Sequence, residues 1–172
     1  MDAKKKELVG TFKNGGQEWQ PAGHPVAVNV HDFPSQALGR AIPYGIYDLS
    51  MKEGLVSAGT DHDTATFAVE TIRRWWQHRG APTYPGATEL LITANGGGSN
   101  SRRSRLWKVA VQRFADETGL RVRAALDPAP YPTKQQVSHD ALARVQLHPA
   151  PFHGEWNYTI FPTPIAQRGA II

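Results

Sequence analysis

Glu89-Leu-Leu-Ile-Thr-Ala-Asn-Gly-Gly-Gly-Ser-Asn100 is the stretch whose reading decides the architecture. Its first six residues are mostly apolar and of strand length, a run suited to burial on both faces of a sheet. Asn95 to Asn100 then supplies the residues of a tight turn. Beyond it the pattern becomes helical from about Arg102 to Thr118, with Leu106, Val109, Ala110 and Phe114 on the inner face. Gly119 closes that helix, and Arg121–Leu126 alternates like another strand.

Upstream, Ala65, Ala68, Val69, Ile72, Trp75 and Trp76 recur at spacings of three and four, which predicts a helix over 64–79. Asp61 or Asp63 is its expected cap, and Gly80 followed by Pro82 its expected end. Before it, 4–12, 42–50 and Leu55–Gly59 read as three strands in meander order. A loop rich in Pro and Gly runs to about residue 41 and holds a short strand at Val26–Val30. The resulting order, β-β-β-α-β-α-β, predicts an α/β fold with a ribonuclease-H-like mixed sheet and helices on its faces. Residues 1–127 form that core. Residues 128–172 are a Pro-rich C-terminal extension packing on it, with a short helix near Ser138–Val145 and a strand in Gly154–Ile160.

Composition narrows the class. The 172 residues include no cysteine, which excludes disulfides and thiolate metal sites and favours a reducing compartment. No apolar run approaches the roughly 18 residues that cross a bilayer, so no membrane partner is expected. Met1-Asp2-Ala3-Lys4-Lys5-Lys6 lacks the apolar stretch of a signal peptide, and the cytoplasm is the expected location. A net charge of +4 is compatible with nucleic acid, because counterion release favours phosphate binding.

Four spots carry candidate chemistry. Asn95–Asn100 lies where α/β sheets commonly carry function, at the carboxyl end of a strand and before a helix. It is either a purely structural turn or a cradle for phosphate, with Gly96, Gly97 and Gly98 as a nucleotide-binding loop. No Lys-Ser or Lys-Thr follows at the Walker spacing, which counts against the nucleotide reading. Arg102, Arg103, Arg105, Lys108 and Arg113 decorate the next helix, either as a solvated face or as phosphate contacts to DNA. Thr60-Asp61-His62-Asp63-Thr64 has metal-ligand chemistry but sits where an Asp usually caps a helix. His31-Asp32 invites the same two readings.

Several stretches resemble the Rhodopirellula-type DDE transposases, a bacterial insertion-sequence family. They are Asp2–Asn14 (DAKKKELVGTFKN), Val28–Pro34 (VNVHDFP), Ala41–Asp48 (AIPYGIYD) and Gly59–Ala65 (GTDHDTA). Ile72–Trp76 (IRRWW), Ala94–Asn100 (ANGGGSN), Arg105–Lys108 (RLWK) and Phe152–Ile160 (FHGEWNYTI) complete the set. The resemblance implies a ribonuclease-H-like core whose three acidic residues hold two divalent ions, Mg²⁺ or Mn²⁺, for phosphoryl transfer on DNA. Its first acid falls on Asp2 and its second on residue 95, which here is Asn95.

Three departures lead to the expectation of an inactive fragment that binds DNA weakly and without sequence preference. Asn95 offers a neutral carbonyl where a carboxylate is expected. Asp2 stands at the start of the chain, without the first half of its strand or the DNA-binding region such enzymes usually carry upstream. The segment that would bring the catalytic Glu, expected after Gly119-Leu120, is missing, and Arg121–Asp127 resembles a region well downstream of it. The family carries a Thr-Gly-Leu on both sides of that segment, so a deletion joining the two copies at Thr118-Gly119-Leu120 is expected. The alternative is a non-catalytic nucleic-acid-binding or interaction module derived from the same ancestor.

Overall fold

The computed structural model describes residues 1–3, 7–13, 19–30, 37–60, 63–95, 98–100, 104–126, 137–151 and 157–168. The N-terminal half builds an antiparallel sheet around β3 (Gly39–Asp48). Along one side runs β4 (Glu53–Gly59), in continuous register from Ile42↔Gly59 to Asp48↔Glu53. Along the other lie β1 (Asp2–Ala3) and β2 (Glu7–Val9), paired as Asp2↔Gly45 and Glu7↔Ala41. The strand expected over 42–50 therefore begins earlier and stops sooner. Its end is set by the Asp48 carboxylate, which accepts from the Ser50 and Met51 amides at 2.9 and 3.2 Å and turns the chain. The strand expected at Val26–Val30 is reduced to one bridge between Phe12 and Asn29.

A second sheet holds β5 (Glu89–Ala94) and β6 (Arg121–Leu126), which pair in parallel from Glu89↔Arg121 to Ala94↔Leu126. The C-terminal segment extends it with β8 (Asn157–Ile160) antiparallel on β6 and β7 (Leu147–Pro149) antiparallel on β8. The β7 strand has no counterpart in the sequence reading. Where the element order suggests one mixed sheet, the strands form two. Across the seam between the two sheets, the Met1 amine donates to the Thr93 carbonyl at 2.8 Å.

Helix α1 (Ala65–Trp75) starts at Thr64, whose hydroxyl accepts from the Phe67 amide at 3.1 Å. Neither expected aspartate caps it: Asp63 lies one residue too early, and Asp61 is outside the described residues. Gly80 and Pro82 do not end the helix either. After Trp75 the backbone widens into a π-turn over Trp76–Gly80 and continues as α2 (Ala81–Thr83). Pro82 follows the π-turn directly and donates no amide to the helical ladder. Gly80 is required by packing, since a Cβ there would lie 2.3 Å from the Trp76 ring.

Helix α3 (Arg105–Thr118) is capped by Ser104 and closed by Gly119 at φ 76°, the left-handed cap that glycine adopts without strain. Its buried side is Trp107, Val111, Phe114 and Ala115, whereas Leu106, Val109 and Ala110 are only half-buried. The inner face is thus turned from the expected one. Trp107 fixes it, fully buried and donating its indole N–H to the Tyr158 hydroxyl at 2.9 Å, a partner on β8 that no local pattern reveals.

Both helices share one core with one face of the strands: Ala68, Val69 and Ile72 of α1, Trp107 and Phe114 of α3, and Tyr44, Ile92, Val122 and Ile160 beneath them. The other face is open among the described residues. Leu91 is 62 % exposed, so β5 is buried on one face only, against the expectation of two. A short helix, α4 (His139–Ala143), follows its Ser138 cap where one is expected.

Candidate functional site

At the end of β5 the chain leaves the sheet through Asn95, which is exposed. After residues 96–97, outside the described set, Gly98–Asn100 forms one 3-10 turn, and Ser104 begins α3. The turn is anchored from within. Asn100 is 1 % exposed and its side-chain carbonyl accepts from the Tyr44 hydroxyl on β3. Tyr44 is itself fully buried and meets Phe67 of α1 edge-on, ring centroids 6.0 Å apart. One hydrogen bond therefore ties β3, α1 and the start of α3 to the end of β5. A buried pair of this kind is costly to break, because either partner alone would be left unsatisfied. Asn100 and Tyr44 are the structural centre of this site. Their sequence positions gave only the Gly-rich turn as a signal, since polarity in a turn ordinarily means exposure.

Asp2 and Asn95 come to the same seam. The Met1 amine bonds Thr93 two residues before Asn95, and Asp2 follows directly in β1, opposite Gly45. This placement is one of backbones. Among the described residues no group of three His, Cys, Asp or Glu side chains occurs that could hold a metal. By residue type alone, these two positions carry one carboxylate and one neutral amide. Two divalent ions need several charged oxygen ligands to offset dehydration.

Two buried polar atoms lack partners among the described residues: Asp63 Oδ1, just before α1, and Ser99 Oγ, in the 3-10 turn. The other members of the Asp61-His62-Asp63 cluster, together with His31 and Asp32, lie outside the described residues. So do Gly96 and Gly97 of the candidate nucleotide loop, and Arg102 and Arg103 of the candidate phosphate contacts. Of the remaining three cations, Arg105, the first residue of α3, and Arg113 are exposed. Lys108 turns toward the sheet instead, its ammonium 5.7 Å from the Tyr158 ring centroid. Burial pushes the Tyr158 phenol well above its usual pKa, with the Trp107 hydrogen bond offsetting part of the rise, so the ring beneath that cation stays neutral.

A family model described as Rhodopirellula transposase DDE domain matches the chain over residues 1–125 and 117–162. Comparison with curated proteins and with solved structures gives no match.

Proposed function

The chain belongs to the Rhodopirellula transposase DDE domain family, and from that membership we propose that it is a catalytically inactive remnant of a DNA transposase that keeps weak, non-specific DNA binding. The family as a whole implies DNA as substrate and divalent metal as cofactor. The described helices include none long and apolar enough to cross a membrane.

The observation that carries the reading is one of residue type, Asp2 with the neutral Asn95, beside the finding that no group of three potential metal ligands occurs among the described residues. Phosphoryl transfer by this family's chemistry depends on carboxylates holding charge in place against the reacting phosphate, and a neutral amide holds none. No step is therefore assigned to metal here. The proposed ancestry is a ribonuclease-H-like core over 1–127, with 128–172 as an extension packed on it. The β1–β3–β4, α1, β5, α3, β6 order and the pairing of β8 on β6 support that division. An internal deletion is supported by the two matched segments, which use residues 117–125 twice. One continuous alignment would use them once, and the shared stretch contains Thr118-Gly119-Leu120, where the join is expected.

Nicking of supercoiled plasmid in Mn²⁺ tests the reading, with the chain, Asp2→Ala and Asn95→Asp side by side. None of the three is expected to nick. Nicking by the chain that vanishes in Asp2→Ala would overturn inactivity, and nicking by Asn95→Asp would overturn the missing third acid.

A further inference from the structure

Halfway along α3, away from the seam, a cleft of about 450 Å³ opens between this helix and the C-terminal segment. Its floor is built. Gln112 is 5 % exposed, and its side-chain amide donates to the Phe161 carbonyl at 2.8 Å, to Asp116 at 3.0 Å and to the Thr163 hydroxyl at 3.3 Å. Its own carbonyl accepts from the Gln146 amide at 2.7 Å. Asp116 in turn accepts from the Thr163 amide and, at 3.2 Å, from the Thr163 hydroxyl. The carboxylate of the cleft is thereby committed to neutral donors of the tail.

Three arginines are among the residues that line it, Arg113 from α3, Arg144 just after α4 and Arg168 near the described C-terminal end. Among the described residues neither Arg113 nor Arg144 has a carboxylate partner, while Arg168 is oriented by donating Nε to the Thr163 carbonyl at 2.8 Å. Three arginines from separate elements on one polar cleft, with its acid already occupied, leave a local excess of positive charge and forked donors that match tetrahedral oxyanions. The volume exceeds a lone phosphate and falls in the range of small-ligand sites, roughly 300–1,000 Å³.

We propose that this cleft is a phosphate-binding site for a phosphate-bearing ligand, with Arg113 and Arg144 as the ligand-contacting groups and Arg168 placed by Thr163. The proposal stands on the cleft alone and does not depend on the chain's ancestry or on any residue of the seam. A free di- or triphosphate and a nucleic-acid backbone present the same chemistry, and two probes separate them.

The test titrates the full chain with inorganic pyrophosphate, by calorimetry, and with a 20-base-pair duplex, by fluorescence anisotropy at low salt. The double variant Arg113→Gln/Arg144→Gln is compared with a charge-matched control, Arg40→Gln/Arg79→Gln, whose two arginines are exposed elsewhere. Both cleft arginines are exposed and neither pairs with a carboxylate among the described residues, so the melting temperature should hold. The expected result is at least tenfold weaker binding in the cleft variant and a much smaller change in the control. Loss with pyrophosphate assigns a free phosphate ligand, and loss confined to the duplex assigns the nucleic-acid backbone. Absence of binding to either probe, or an equal loss in the control, overturns the site. No duplex binding at low salt, with intact pyrophosphate binding that the cleft variant loses, would defeat the DNA reading above while leaving this one standing.

Discussion

The two ends of α3 are held in different ways. At its start the groups that anchor the chain are uncharged: Ser104 caps the helix, and Asn100 takes the Tyr44 hydroxyl. In its second half, Gln112 and Asp116 gather the C-terminal segment, and arginines from three elements line the space that results. The family model matches the chain through both ends, yet the Gly-rich turn, the more conspicuous of the two regions in sequence, is at the first. A motif marks where chemistry is placed by ancestry, but only side chains in position decide whether charge is available there.

The comparison assumes one core under both ends, and the largest effect tests that. Trp107→Ala removes a fully buried indole and should cost about 3–5 kcal/mol, measured by urea unfolding. A loss below about 1 kcal/mol would mean the ends are supported separately.

Tyr158→Phe should cost about 1–3 kcal/mol at neutral pH, because it leaves the Trp107 N–H without its acceptor. It also carries a pH signature. The Tyr158 pKa is raised in the folded state by burial, less what the Trp107 hydrogen bond takes back. Its stabilisation is thus fully present below the unfolded value, about 10, and lost as pH rises beyond it. Unfolding followed from pH 8 upward should show an alkaline decline in the parent chain that is shallower in the variant.

Tyr44→Phe against Gln112→Ala sharpens the contrast between the ends. Each should cost on the order of 1–2 kcal/mol, since each leaves buried groups unpaired. Hydrogen exchange should localise the damage, in Tyr44→Phe to the Ser99–Asn100 turn and in Gln112→Ala to Gln146 and Thr163. Matching exchange patterns would dissolve the distinction.

The smallest effect serves as a neutral reference. Arg73 on α1 pairs with Glu70 and with Glu117 of α3, the latter at 2.7 Å. Burial lowers its pKa and the two carboxylates raise it by more, so it stays charged throughout. Arg73→Gln should cost under about 1 kcal/mol and less in high salt, with both ends unaffected.

Much of the framework was legible. The strands at Glu89–Ala94 and Arg121–Leu126 have the expected bounds, and Gly119 closes α3 as its position indicates. Local chemistry suffices there: a six-residue apolar or alternating run, and a glycine where the backbone must turn left-handed. The start of α1 was harder to read, because Asp61, Asp63 and Thr64 are all good caps by type and only geometry picks Thr64. The continuation through Gly80 and Pro82 was hidden because a π-turn relieves the ridge of Trp75 and Trp76 against the glycine, a fit between rings rather than a pattern in sequence.

For the site, the Ala94–Asn100 turn could be read directly, as could the family the chain belongs to. Residue type and spacing are enough for that, since both are properties of the chain itself. The burial of Asn100 under Tyr44, the turning of Lys108 toward Tyr158 and the meeting of Arg113, Arg144 and Arg168 on one cleft were decided only by the tertiary structure. Each joins residues from separate elements, and the Coulomb, hydrogen-bonding and packing forces that fix them act over a few ångströms in space, whatever their separation along the chain.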